Sequence, residues 1–140
     1  MKILVVGESC TDVYHYGKAN RMCPEAPVPV FVPGNRIVKN GGMAYNVYKN
    51  ILSLDSEIDV DILTNNNWRN ITKTRYVDYR TNYIVLRLDE NDDGYGTCNV
   101  REIEYDKYDA IVISDYNKGF LSESDIEYIS TMLDRDWETI

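Results

Sequence analysis

Asp12, Asp115 and the pair Gly41-Gly42 with Asn46 are the positions at which this chain of 140 residues offers chemistry for a small polar ligand. Asp12 lies just beyond the apolar run Ile3 to Val6, which ends in Gly7, and Asp115 directly follows a second run, Ala110 to Ser114. In open α/β sheets ligands gather outside the carboxyl ends of the strands, where an aspartate is well placed to hold a hydroxyl. A solvated turn aspartate is the alternative reading of Asp12. Two glycines ahead of a helix let backbone N–H groups come close to a ligand, although a double glycine is also a common loop element. Lys73, Arg75, Arg87 and Lys118 stand out because the chain is otherwise acidic, with a net charge of -8. For each of the four, ordinary surface charge is the alternative.

The elements that must position these residues follow from periodicity. The runs at Ile3 to Val6 and Ala110 to Ser114 predict buried parallel strands. Between them, the proline-rich stretch Cys23 to Pro33 carries Pro24, Pro27, Pro29 and Pro33 around Val28, Val30 and Val32, so it suits neither a helix nor a central strand. Residues 13–39 therefore predict a β-flap with a turn near Asn20-Arg21. Gly41-Gly42 is expected to open a helix that runs to about Leu54, with Ala44, Val47, Ile51 and Leu54 on one face. Ile58 to Leu63 reads as a strand and Asn65-Asn66-Asn67 as a turn. A second β pair, about residues 72–89, reads as antiparallel around Arg80-Thr81. Ser122 with Asp125 forms a capping-box pattern at the start of a last helix.

Composition bounds the function. The length suits one domain, and 44% hydrophobic residues suffice for a core to which 12 Tyr contribute. The acidic balance argues against nucleic acid, whose phosphates call for an excess of Lys and Arg. Three cysteines without paired spacing read as reduced thiols and not as a metal site. No apolar run approaches the roughly 20 residues of a membrane span, and a soluble cytoplasmic protein is expected.

Five stretches in order carry a resemblance. They are VVGESCTDVYHYGKANRMCPEAPVPVF with NGGMAYNVYKNI between Val5 and Ile51, TKTRYV at 72–77, IVLRLDEND at 84–92 and ISDYNKGFLSESDI at 113–126. In this order the chain resembles the beginning of the ribokinase-like (PfkB-type) carbohydrate kinases, nearest to the heptose 7-phosphate kinases of ADP-heptose synthesis. The resemblance implies an α/β fold with a reduced ribokinase-like sheet, flanking helices and a small β-flap acting as a lid, all within a single truncated domain over residues 1–140. By the same resemblance Asp12, Gly41, Gly42 and Asn46 bind sugar hydroxyls. Lys73, Arg75, Arg87 and Lys118 hold a sugar phosphate or balance charge near the transferred group. Carboxylates and amides suit a polyol, whereas Arg matches phosphate oxygens with a bidentate fork. ATP and Mg are implied for the complete enzyme, and flaps of this family commonly pair subunits, which implies a homodimer.

Two departures from the family pattern limit what carries over. The segment Thr64 to Ile71 is shorter than in full-length relatives, and the glycine-rich GAGD motif that supplies the anion hole and the catalytic base is missing. The ending Trp137-Glu138-Thr139-Ile140 reads as an interrupted chain. No residue is therefore assigned a catalytic or metal-binding role, and a catalytically inactive binding or dimerisation module stands as the alternative function. His15, between Tyr14 and Tyr16, reads as a packing residue, and Asp89, Glu90, Asp92 and Asp93 as a solvated turn. Tyr76, Tyr79 and Tyr83 read as a sheet face.

Overall fold

The computed structural model describes residues 1–133, and the reading of Trp137 to Ile140 lies outside them. In chain order the elements are β1 (Lys2–Gly7), β2 (Ser9–Met22), β3 (Pro29–Met43), α1 (Ala44–Leu52), β4 (Asp59–Leu63), β5 (Thr72–Asp78), β6 (Ile84–Glu90), β7 (Ala110–Ser114) and α2 (Glu123–Leu133). They build an α/β fold with two sheets. The first is parallel with strand order β4-β1-β7, and the second is mixed with order β3-β2-β5-β6.

The central strand β1 is apolar from Ile3 to Val6 because a parallel strand between two layers needs cover on both faces. Its alternating side chains divide accordingly. Ile3 and Val5 bury against Val60 and Ala44, with Val47 and Ile51 of α1 packed around them. Leu4 and Val6 bury on the other side with Ile71, Tyr95, Phe120, Leu121 and Ile129. Full burial of a side chain of this size stabilises by about 1.5–3 kcal/mol, so β1 anchors the molecule. At its end Gly7 lies so close to β7 that a Cβ would overlap the Ser114 carbonyl.

The two ribbons expected from the sequence join into one sheet. β2 pairs antiparallel with β3 and parallel with β5, and β5 pairs antiparallel with β6. The proline-bearing β3 lies at an edge, where a lost N–H is harmless. The turn itself differs from expectation. Asn20 and Arg21 are still in β2, and the reversal spans Cys23 to Val28, closed by the Cys23 N–H on the Val28 carbonyl at 2.8 Å. Pro24 and Pro27 fall inside this reversal, where their fixed φ suits a bend better than a ladder.

The start of α1 also differs. Gly41 and Gly42 are the penultimate residues of β3, and the helix begins at Ala44. The unusual backbone falls on Met43, at φ 59° and ψ -129°, a conformation strained for any residue with a side chain. Its buried thioether is held against the Tyr95 hydroxyl, 3.8 Å away. At the other end the helix stops at Leu52, so Leu54 is exposed and is not part of the apolar face. The capping box of α2 forms as read: Asp125 N–H donates to Ser122 Oγ at 3.2 Å, and Ser122 N–H donates to Asp125 Oδ2 at 2.9 Å.

Candidate functional site

Strand register sorts the polar motif residues onto one face of the mixed sheet. Asp12, Lys73 and Asp89 stand opposite one another across β2, β5 and β6, and the next row holds Tyr14, Arg75 and Arg87. Residues two apart on a strand point to the same side, so both rows line the same surface. Facing them is the loop after β7, which brings Tyr116 and Lys118. Together with Met43 and Asp92 these groups enclose a cavity of about 290 Å³.

Five of the eight proposed binding residues thus converge: Asp12, Lys73, Arg75, Arg87 and Lys118. Gly42 belongs beside them, because a Cβ there would overlap the Asp12 carboxylate and only glycine leaves that carboxylate room. Gly41 and Asn46 open onto a different cavity of about 570 Å³, with Thr11, Lys39, Tyr45, Lys49, Trp68 and Arg69. Gly41 is covered there by the Tyr45 ring, which in turn stacks on Trp68 at 4.7 Å.

The 290 Å³ cavity holds a closed set of ion pairs. Arg75 Nη1 donates to Asp12 Oδ1 at 2.6 Å, and its guanidinium lies 5.1 Å from the Tyr14 ring centre. Arg87 grips Asp89 with a two-pronged contact, Nε to Oδ1 at 2.7 Å and Nη2 to Oδ2 at 2.9 Å. Lys73 Nζ donates to Asp89 Oδ2 at 3.3 Å and also to Asp92 Oδ1. Lys118 Nζ donates to Asp92 Oδ2 at 2.8 Å, and the Tyr95 hydroxyl donates to Asp92 Oδ1 at 2.6 Å. Counting four cations against Asp12, Asp89 and Asp92 leaves one positive charge in excess.

Asp89 and Asp92 are therefore not a solvated turn. Asp92 is half-buried with both oxygens engaged, while its neighbours Asp93 and Glu90 are exposed. Burial pushes the Asp92 carboxyl up, yet hydrogen bonds from Lys118, Lys73 and Tyr95 outweigh it and hold the group well below the usual carboxylate range. For Lys73 burial acts to lower the ammonium, and the bonds to Asp92 and Asp89 win and raise it. The clue available in the sequence was Asp89 two residues after Arg87, which puts both on one strand face.

Glu8 was also passed over. It is fully buried just after β1, and its carboxylate accepts the backbone N–H of Tyr116 and of Lys118, each at 2.9 Å. The Glu8 carbonyl accepts the first helical N–H, that of Ala44, at 2.9 Å. One residue thus ties the end of β1 to α1 and fixes the loop that carries Lys118. A lone glutamate after an apolar run carries no signal of this, because its partners lie more than a hundred residues away.

His15 stacks on Tyr76 at 5.4 Å, a packing role as read. All three cysteines are free thiols, and burial with the nearby Asp12 charge pushes Cys10 up to about 11. Among the described residues no group of three His, Cys, Asp or Glu side chains converges to hold a metal, and no helix is long and apolar enough to cross a membrane.

No protein-family model matches the chain. Among curated proteins it is 31% identical to the bifunctional protein HldE of Helicobacter pylori strain P12, over 94% of this chain and 34% of that protein. It is 30% identical to the bifunctional protein HldE of Shewanella sp. strain ANA-3, over 87% of this chain and 31% of that protein. The chain spans about a third of the length of the curated relatives it matches. Among solved structures a carbohydrate kinase from Agrobacterium tumefaciens aligns with 80% of this chain and 44% of its own, at TM-score 0.46 and 14% identity. Over that third the chain is similar to the bifunctional HldE proteins, and this similarity bears out the resemblance carried by its motifs.

Proposed function

We propose that this chain is the acceptor-binding and lid part of a sugar-phosphate kinase, of the heptose 7-phosphate kinase kind. The observation that carries the reading is the convergence of Asp12, Lys73, Arg75, Arg87 and Lys118, drawn from separate stretches of the sequence, on one cavity of about 290 Å³. Asp12 accepts hydrogen bonds from the polyol, Gly42 keeps space beside it, and the cations hold the phosphate. Gly41 and Asn46 are further sugar contacts on this reading, offered from the separate cavity of about 570 Å³. On this reading the chain forms a single kinase domain, with the β-flap at about residues 13–39 as its lid and a second β pair at about residues 72–89. It works in the cytoplasm on a small-molecule sugar phosphate.

ATP and Mg belong to the complete reaction as phosphoryl donor and charge-neutralising ion. The carboxylates of the cavity are engaged by Arg and Lys, so this donor set does not fit a metal, and no residue is assigned to either group. Calorimetric titration with heptose 7-phosphate, fructose 6-phosphate and ribose tests the reading. Saturable binding of a sugar phosphate that is lost in Asp12→Ala supports it, and absence of heat from folded protein removes it.

A second reading, a dimerising module without catalysis, is favoured by one observation. Leu86 and Leu88 of β6 and Ile37 of β3 leave apolar side chains exposed on the side of the sheet away from the cavity. A homodimer through the flap sheet covers such a surface. Sedimentation equilibrium decides it: a monomer at all concentrations removes this reading.

A further inference from the structure

The Asp92 side chain is placed as a ligand would be. Its two oxygens take three donors, Lys73 Nζ, Lys118 Nζ and Tyr95 Oη, and it sits on the wall of the cavity that the motif cations line. These donors come from different layers. Lys73 belongs to β5 of the mixed sheet, whereas Lys118 follows β7 of the parallel sheet, in the loop that Glu8 holds. Two ammonium groups and a phenol around one anion form the donor set that a phosphate group takes, since phosphate offers three acceptor oxygens and more charge than a carboxylate.

The segment bearing Asp92 is short, with left-handed backbone before it and glycines after it. Asn91 before it has φ 57°, Gly94 follows it, and Gly96 has φ 71°. A Cβ at Gly96 would meet nothing within 4 Å, so that position is open to solvent. The loop is anchored at Tyr95, which is buried in the core, and elsewhere by side-chain contacts from Asn67 to the Gly94 carbonyl and from Asn91 to the Asn70 carbonyl at 2.8 Å.

We propose that Asp92 is a built-in occupant of the phosphate position, which a phosphorylated ligand displaces from Lys73 and Lys118 when it binds. This rests on the reading of the cavity as a sugar-phosphate site. Asp92 then has two effects. Without ligand it neutralises the two ammonium groups and joins the mixed sheet to the parallel sheet. With ligand, the phosphate takes over that junction, so the affinity for phosphate is set by a competition against an intramolecular carboxylate.

The test is a calorimetric titration of the wild-type chain and of Asp92→Asn with fructose 6-phosphate, inorganic phosphate and unphosphorylated fructose. The amide keeps the shape and removes the competing charge. Fructose 6-phosphate and phosphate are expected to bind at least tenfold more tightly to Asp92→Asn than to wild type, with fructose unchanged. Binding that is present in the wild type and equal or weaker in the variant overturns the proposal and leaves the site reading standing. Binding absent from both proteins overturns the two together. Should Asp92→Asn fold poorly, nuclear magnetic resonance on the wild type answers the same question. Saturable shifts of the Asp92 carboxyl and of the Gly94 and Gly96 amides upon phosphate addition are expected. A shift confined to the Lys118 amide overturns displacement.

Discussion

The two faces of the mixed sheet are made from the same strands, one residue out of step, and they are opposites. One presents Asp12, Lys73 and Asp89, then Tyr14, Arg75 and Arg87. The other presents Val13, Thr74 and Leu88, then Ile37, His15, Tyr76 and Leu86. The first face meets the loop after β7 and has its charges mutually satisfied. The second buries Val13 and Thr74 but leaves Leu86 57% and Ile37 49% exposed. A pleated strand can carry a polar site and an apolar surface together because its side chains alternate, and a slip of one residue would exchange them. The charged face and the exposed apolar face of this sheet are therefore coupled by register and separate in space.

Substitutions on each face sharpen this contrast. The largest effect is expected from Lys73→Met, because the ammonium is only 8% exposed and its removal leaves Asp92 and Asp89 short of a partner. Breaking a buried pair from one side costs about 3 kcal/mol, to be read as a lower urea midpoint at unchanged slope. Next comes Asp12→Ala, which strands Arg75 and removes the proposed hydroxyl acceptor. A loss of sugar-phosphate affinity of roughly a hundredfold, about 2.7 kcal/mol, is expected by calorimetry. An Asp12→Ala protein that binds as the wild type does would falsify the assignment of the polar face.

Acid should weaken the polar face further. Hydrogen bonds from Arg87 and Lys73 hold Asp89 below its ordinary range, and those from Lys118, Lys73 and Tyr95 do so for Asp92 against the opposing effect of burial. A carboxylate depressed in the folded state contributes stability that is present above the unfolded value, about 3.9, and is lost as pH falls through the folded one. The melting temperature is expected to drop between pH 5 and pH 2.5, and to drop less in Asp92→Asn. Lys73 is raised, so its contribution is present below the ordinary lysine value and is lost only in strong alkali.

The apolar face should respond in the opposite sense. Leu86→Glu is expected to abolish concentration-dependent association in sedimentation while changing stability by within about 0.5 kcal/mol and leaving sugar-phosphate affinity unchanged. Any loss of affinity in that variant would break the separation of the faces. The smallest effect is expected from Leu54→Ser, beyond the end of α1 and 76% exposed, with an unfolding midpoint indistinguishable from wild type.

The amino-acid sequence by itself determined the parts that depend on neighbours in the chain. The apolar runs gave β1 and β7, the prolines gave an edge, Ser122 and Asp125 gave a cap, and the motif order gave the family resemblance. Local pattern reached the wrong detail where two local rules competed: Asn20-Arg21 looked like a turn, but Pro24 and Pro27 just beyond are better suited to one. Likewise the special backbone conformation at the start of α1 fell on Met43 and not on the glycines before it, because burial of the Met43 side chain against Tyr95 holds it there.

What only the tertiary structure decided is which charges meet. Sequence distance hides that Asp12 reaches Arg75, that Glu8 holds the loop of Lys118, and that Asp92 sits between Lys73 and Lys118. Spacing along a strand fixes the face on which a side chain emerges. The partner across that face depends on register and on how two sheets come together, and those are set by the burial of β1 and the pairing of β2 with β5. Ion pairs add little free energy of their own compared with such burial, so they follow the fold that the apolar residues choose.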